Sequence, residues 1–155
     1  MDRDINIVFD LSGSMAELGK IRILKSLAAR LMPLVSRYGD VVHFWGWREA
    51  VTPLKGPRDM VLATNNSQGL IDFIEDNGFG GKYLLLSDGL WAAEITDQIK
   101  QQVTATRSCL VAVAIGADAN SWSLSQISHG QTMYSSADIV TAVQSLCCAD
   151  MEVSS

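Results

Sequence analysis

The sequence predicts a single α/β domain: one doubly wound, mostly parallel open sheet of about six strands, with helices on both faces. Short apolar runs alternate with stretches of helical periodicity. Most of these runs are apolar on both faces, which strands covered by helices on two sides require. The 155 residues suffice for one hydrophobic core but not comfortably for two. We expect the domain to span residues 1–149, followed by a polar C-terminal tail over residues 150–155.

Six segments have the composition of strands. They are residues 5–9, 41–47, 50–54, 83–87, 109–115 and, more weakly, 131–134. The third follows the second after a two-residue turn and contains Pro53, which cannot donate a ladder hydrogen bond. We therefore expect the third strand to be an antiparallel strand at one edge of the sheet.

Five segments between these strands have helical periodicity. They are residues 15–38, 67–75, 90–105, 124–128 and 137–149. The first is the longest, and Gly39-Asp40 supplies its stop signal. The resulting order, β-α-β-β-α-β-α-β-α-β-α, is that of an open sheet with helical crossovers.

Composition argues against several classes of partner and location. The formal net charge is -5, and the 12 Lys and Arg residues are scattered, so we expect no nucleic-acid partner. The longest apolar run, residues 109–115, is too short to span a bilayer, and we expect no membrane association. A charged start without a signal-peptide pattern and an odd count of three cysteines favour a cytoplasmic protein.

The stretch FDLSGSM carries the strongest chemical signal. It places Asp10, Ser12 and Ser14 at alternate positions where the first strand ends, and Asp88 closes another apolar run in LLLSDG. Ligands of such sheets bind beyond the carboxyl ends of the strands, where the strand order reverses. Two carboxylates meeting there repel each other unless a cation lies between them. The serine hydroxyls add neutral hard oxygens of the kind that Mg²⁺ or Mn²⁺ accepts, so we expect a divalent-metal site here.

A simpler interpretation remains open for the same residues. Asp10 and Ser12 would form a local turn and Ser14 would cap the following helix, which these residue types favour. This interpretation does not explain why two strand ends both carry aspartate. In the metal-site interpretation, we expect Gly13 to let the loop fold tightly enough to turn both serines the same way.

These motifs resemble the von Willebrand factor type A (vWA) domain with its metal-ion-dependent adhesion site (MIDAS), a Rossmann-like fold. The likeness rests on the Asp-x-Ser-x-Ser pattern after a strand, the long helix that follows, LLLSDG, and the C-terminal stretches VAVAIGADANSWSLSQIS and QTMYSSADIVTAV. The resemblance implies that Ser12, Ser14 and Thr64 touch the metal, while Asp10 and Asp88 act largely through bound waters. It also implies that the stretch between residues 54 and 84 is short for the family and lacks one helix.

The third hydroxyl ligand has two candidates in ATNNSQGLIDFI. Thr64 has Gly69 and Leu70 at the fifth and sixth following positions, where the family commonly has apolar or small residues. Asn66 at the second position departs from the family pattern, and so does the lack of the usual glycines just before the threonine. Ser67 is the rival ligand. Either hydroxyl could instead cap the helix that starts here.

The resemblance implies a function in binding. Direct ligands that are neutral leave the ion ready for one more anionic oxygen, which in the family an Asp or Glu of a partner protein supplies. We expect a non-enzymatic protein-interaction module of an intracellular microbial assembly, of the kind that often includes ATPases. Trp91 and Trp122 are expected near the same edge, as partner contacts or packed under their own loops.

Two alternatives belong to other classes. One is a Mg²⁺-dependent phosphoester hydrolase, although the chain lacks the Gly-x-x-x-x-Gly-Lys and Gly-x-Ser-x-Gly motifs. A phosphatase of the haloacid dehalogenase type would also need an aspartate where Ser12 stands. The other alternative is a scaffold with a degenerate, empty site.

Overall fold

The computed structural model describes residues 4–64 and 66–147. The strands are β1 (Ile5–Asp10), β2 (Val42–Trp47), β3 (Val51–Pro53), β4 (Lys82–Ser87), β5 (Cys109–Ala114) and β6 (Met133–Ser135). The α-helices are α1 (Lys20–Arg37), α2 (Ser67–Asp76), α3 (Ala93–Ala105), α4 (Ser121–Ile127) and α5 (Ile139–Cys147). The predicted tail and the last two residues of the predicted final helix lie outside the described residues.

The six strands form one sheet in the order β3-β2-β1-β4-β5-β6. β3 pairs with β2 in antiparallel fashion, and the other neighbours pair in parallel. The predicted fold class is therefore confirmed, including the antiparallel edge strand that contains Pro53. The order of the elements along the chain also matches the prediction.

The sheet separates two hydrophobic cores. Alternate residues of β1 serve the two faces: Ile7 and Phe9 belong to one core and Val8 to the other. The first core packs under α1 and α5, with Leu24 and Ile139 among its buried residues. The second core packs under α2, α3 and α4. Helices on both faces explain why the central strands have apolar residues on both of their faces.

The first helix begins five residues later than predicted. Gly13–Ala16 forms a 3-10 turn, and Leu18 and Gly19 follow with φ values of 54° and 72°. Two successive left-handed residues cannot continue a right-handed helix, so α1 starts at Lys20. The apolar spacing of the predicted helix did not reveal this break. Ser14 therefore lies in a separate turn before the helix.

The strand order reverses between β1 and β4. β1 leads through α1 to β2 on one side, while β4 lies on its other side and leads through α3 to β5. Phe9 pairs with Leu86, so the ends of the two strands lie side by side. Asp10 and Asp88 therefore both lie at the carboxyl edge of the sheet, where the crevice is expected.

Two further features concern the helices. Between β3 and β4, the described residues contain one α-helix, α2, and the 3-10 turn Pro57–Asp59. In the part of the chain that the structure describes, none of the helices combines the length and the apolar character needed to cross a bilayer.

Candidate metal site

Asp10 lies at the centre of the crevice and is only 1% exposed. Its Oδ1 accepts a hydrogen bond from the Ser12 backbone N–H (2.9 Å), and its Oδ2 accepts one from the Ser87 hydroxyl (2.7 Å). Burial raises the pKa of the Asp10 carboxyl from 3.8 to about 6, and these hydrogen bonds offset only part of the rise. Asp10 is therefore ionised at neutral pH, but burial of its charged form reduces the free energy of unfolding.

Two serine hydroxyls lie beside this carboxyl group. The Oγ atoms of Ser12 and Ser14 are 3.1 Å apart, and both side chains are partly buried. They open onto a cleft of about 240 Å³ at the carboxyl edge of the sheet. Its wall consists of Asp10, Ser12, Ser14, Trp47, Asn66, Ser67, Leu90, Trp91 and Ile95. The Asp10 carboxylate and the serine hydroxyls of this wall offer oxygen ligands, which a hard divalent cation such as Mg²⁺ or Mn²⁺ prefers.

The simpler interpretation of these residues is correct in part. The Ser12 N–H does bond to the Asp10 side chain, as in a local turn. Ser14 does not cap α1, because Gly19 occupies the N-cap position of that helix. The expectation for Gly13 is wrong: its φ is not positive, and an added Cβ would meet nothing within 4 Å. The turn therefore does not require glycine at this position.

The two candidates for the third hydroxyl lie in different places. Ser67 begins α2, lines the cleft and donates a hydrogen bond to Gln98 Oε1 (3.2 Å). Asn66, not Thr64 or Ser67, caps this helix by accepting from the Gly69 N–H. Thr64 is exposed. Within residues 4–64 and 66–147, neither Thr64 nor Asp88 forms part of the cleft wall.

The position of Ser67 leads to a prediction about metal affinity. We expect Ser67→Ala to weaken Mn²⁺ binding several-fold and Thr64→Ala to change it less, because of these two candidates it is Ser67 that lines the cleft. This order is the reverse of that implied by the family resemblance. Isothermal titration calorimetry of both variants measures it, and a larger loss for Thr64→Ala would show that Thr64 supplies the ligand.

Asp88 engages a lysine that the sequence analysis did not select. The Lys20 Nζ lies 3.0 Å from Asp88 Oδ2 and 2.7 Å from Asp118 Oδ1. It also donates to the Ser14 carbonyl (3.4 Å), while Asp88 Oδ1 accepts from the Leu90 N–H (3.1 Å). Burial alone would lower the pKa of the Lys20 ammonium, but hydrogen bonds to Asp118 and Asp88 outweigh it and raise that pKa. Lys20 thus carries its positive charge inside the protein.

Part of the cluster formed by Lys20, Asp88 and Asp118 can be recognised in the sequence. Asp118 follows β5 in AIGAD, Asp88 follows β4 and Asp10 ends β1, so Asp118 is a third acidic residue at the same edge. Lys20 is recognisable only once the start of α1 is known, because a cation is unfavourable in the first turn of a helix unless carboxylates compensate it. Gly116 makes room for Lys20: an added Cβ would lie 2.7 Å from Lys20 Cε.

The two tryptophans have different environments. The Trp91 ring packs against Trp47 at 5.8 Å between centroids, and its Nε1 donates to Thr96 Oγ1 (2.9 Å). Trp91 therefore packs under its own loop and also lines the cleft. Trp122, at the start of α4, is 56% exposed. Both lie at the carboxyl edge of the sheet, as predicted.

The donor set is unusual in its chemistry. In the described part of the chain, no group of three or more His, Cys, Asp or Glu side chains is placed to hold a metal ion. A divalent cation in this cleft would depend on the serine hydroxyls together with Asp10.

Comparisons with known proteins support the fold. No protein-family model matches the chain, and no curated protein matches it. An aerotolerance-related membrane protein from Bacteroides fragilis superposes with a TM-score of 0.62 at 10% identity, over 94% of this chain and 98% of that one. BatB from Bacteroides thetaiotaomicron gives 0.60, with the same identity and coverage.

A third similar structure comes from an animal. Proximal thread matrix protein 1 from the mussel byssus superposes with a TM-score of 0.59 at 14% identity, over 94% of this chain. The chain spans 46% of that protein, a little under half of its length. At these identities the likeness concerns the fold, and it supports the expected vWA-like architecture.

Proposed function

We propose that this chain is a non-enzymatic protein-interaction module that binds Mg²⁺ or Mn²⁺ in the cleft and through it an Asp or Glu side chain of a partner protein. The observation that carries the proposal is the pair of hydroxyls of Ser12 and Ser14, 3.1 Å apart, which open with Asp10 onto one cleft at the strand-order reversal. The vWA-like fold supports a role in binding. The partner would belong to a multi-protein assembly, such as one that includes an ATPase.

The ligand set explains why the partner's group would be a carboxylate. Ser12, Ser14 and either Ser67 or Thr64 would hold the ion through neutral oxygens, with Asp10 and Asp88 close behind them. A bound divalent cation would supply positive charge that these neutral ligands do not cancel. An anionic oxygen from a partner therefore gains more from this cleft than a neutral group does.

The carboxyl edge of the sheet also suits a protein partner. Leu90 is 44% exposed, and Leu18, just before α1, is 66% exposed. Together with Trp122 they place large apolar side chains on three segments at the carboxyl edge of the sheet. Tryptophan is enriched among the residues that dominate binding energy at interfaces. We therefore expect Trp122 to contact the partner and Trp91 mainly to shape the cleft.

A pull-down with matched conditions tests the proposal. The tagged protein is incubated with lysate in Mg²⁺ or in chelator, and we expect a partner to be retained only in Mg²⁺. A Ser14→Ala bait should lose that partner, because it lacks one cleft hydroxyl. Trp122→Ala should reduce retention about tenfold while leaving Mn²⁺ affinity unchanged. Undiminished retention in chelator would contradict the metal bridge.

Two direct assays separate the proposal from its alternatives. Turnover of p-nitrophenyl phosphate that requires Mg²⁺ and is lost in Asp10→Asn would replace the binding module with a hydrolase. Calorimetry that detects neither Mg²⁺ nor Mn²⁺ would instead identify a scaffold with a degenerate site.

A further inference from the structure

We propose that the Lys20 ammonium is a permanent positive charge of the candidate metal site, which holds Asp88 in position without metal and limits how tightly the cleft binds a divalent cation. This inference rests on the proposed function, since it concerns the affinity of the same cleft. It gives Lys20 the role of a positioning residue, with Asp118 as its counter-charge.

The burial of Lys20 shows that its place is specific. Lysine is the residue that most readily extends into water, yet the Lys20 side chain is 0% exposed. Its ammonium contacts two carboxylates at 3.0 Å and 2.7 Å, and the left-handed Gly116 leaves space for its stem. Burying an ammonium is costly unless partners compensate it, so Asp88 and Asp118 are needed to keep it there.

The position of Lys20 sets the charge that the cleft presents. Its Nζ lies 3.4 Å from the Ser14 carbonyl oxygen, so the positive charge is adjacent to a residue whose hydroxyl would hold the metal. Of the two carboxylates predicted to attract a divalent cation, Asp88 is already paired with this ammonium. Asp118 compensates less inside the protein, because its side chain is 34% exposed and water screens it. The cleft therefore attracts a cation less strongly than Asp10 and Asp88 alone would.

The ion pairs of Lys20 with Asp88 and Asp118 also keep the carboxyl edge of the sheet ordered without metal. Asp10 and Asp88 carry like charges at the same edge of the sheet, and Lys20 offsets their repulsion. Lys20 links Asp88 after β4 to Asp118 after β5, and it begins α1 directly behind the serine turn. A partner would then meet a cleft that is already shaped.

The test measures Mn²⁺ affinity by calorimetry for the whole protein. We expect Lys20→Met to bind Mn²⁺ about tenfold more tightly than wild type, because a positive charge near the ion is removed. Its melting temperature should fall in chelator and rise more on adding Mn²⁺ than that of wild type. A purely structural role for Lys20 predicts weaker metal binding, so tighter binding separates the two roles.

A second variant covers the case in which Lys20→Met fails to fold. Asp118 is partly exposed, so Asp118→Asn should fold, and the ammonium then lacks one counter-charge. We expect it to bind Mn²⁺ several-fold more weakly, although Asp118 does not line the cleft. Lys25→Met is the matched control, because Lys25 is exposed on the same helix and should leave Mn²⁺ affinity unchanged.

Each outcome decides the inference separately from the proposed function. If wild type binds Mn²⁺ and neither Lys20→Met nor Asp118→Asn shifts the affinity as expected, the inference is wrong and the metal site stands. If only Lys20→Met binds Mn²⁺, the inference holds and wild type does not work through a metal. If no variant binds Mn²⁺, both are wrong.

Discussion

Asp10→Asn is expected to abolish Mg²⁺ and Mn²⁺ binding and, at the same time, to stabilise the metal-free protein at pH 7 by about 1–3 kcal/mol. The asparagine keeps the size of the side chain and can still accept from the Ser12 N–H. It removes a charge that burial disfavours, as the pKa of about 6 for Asp10 shows. If the variant gains folding stability but loses metal binding, Asp10 serves the metal site at the expense of the stability of the fold.

The pH dependence of that gain follows from the direction of the pKa shift. The pKa of Asp10 is higher in the folded protein than its value of 3.8 elsewhere, so folding favours the protonated form. The cost of ionising Asp10 is fully present above about pH 6 and disappears as the pH falls toward 3.8. Urea unfolding in chelator should show that Asp10→Asn is more stable than wild type at pH 7 and about equally stable near pH 4. A variant that is less stable at pH 7 would contradict the charge argument, and retained Mn²⁺ binding would remove Asp10 from the site.

Gly69→Ala is expected to cost about 2–4 kcal/mol of unfolding free energy. Gly69 lies in the first turn of α2, where an added Cβ would collide with the carbonyl oxygen of Glu49 and lie 2.9 Å from its carbonyl carbon. Both contacts are with backbone, which cannot rotate away as a side chain can. Either α2 or the turn between β2 and β3 would have to move.

The effect of Gly69→Ala should extend to the cleft. α2 begins at Ser67, so a displaced helix carries that hydroxyl away and Mn²⁺ binding should weaken as well. Gly13→Ala is the matched control, since an added Cβ there meets nothing within 4 Å, and we expect a change within about 0.5 kcal/mol. Thermal or urea unfolding of both variants measures the difference, and equal stabilities would show that the backbone contact at Gly69 relaxes freely.

The sequence was sufficient for the fold because the signals were local. Runs that are apolar on both faces identified the buried strands, and Pro53 identified an edge. The start of α1 was predicted wrongly because the break depends on the left-handed backbone of Leu18 and Gly19, which apolar spacing does not encode. The expectation that Gly13 lets the turn fold tightly failed for a related reason, since the backbone at Gly13 is not left-handed and an added Cβ would meet nothing.

The candidate site was predictable where its residues are close in sequence or lie at the ends of neighbouring strands. The alternation of Asp10, Ser12 and Ser14 brought the two hydroxyls together, and the apolar run before Asp88 indicated a strand that lies next to β1. The pairing of Lys20 with Asp118 joins residues 98 positions apart, and no local pattern encodes that contact. Only the folded chain shows that Asp88 already has a positively charged partner.

The two edge strands determine how this domain can associate with other chains. β3 and β6 contain three residues each, and β3 ends at Pro53. An incoming strand, from another copy or from a partner, would find a very short ladder at either edge, and the proline offers it no donor. Growth of the sheet into aggregates is thereby disfavoured. If the proposed function is right, the partner would therefore bind the loops at the carboxyl ends of the strands and contact side chains instead of backbone.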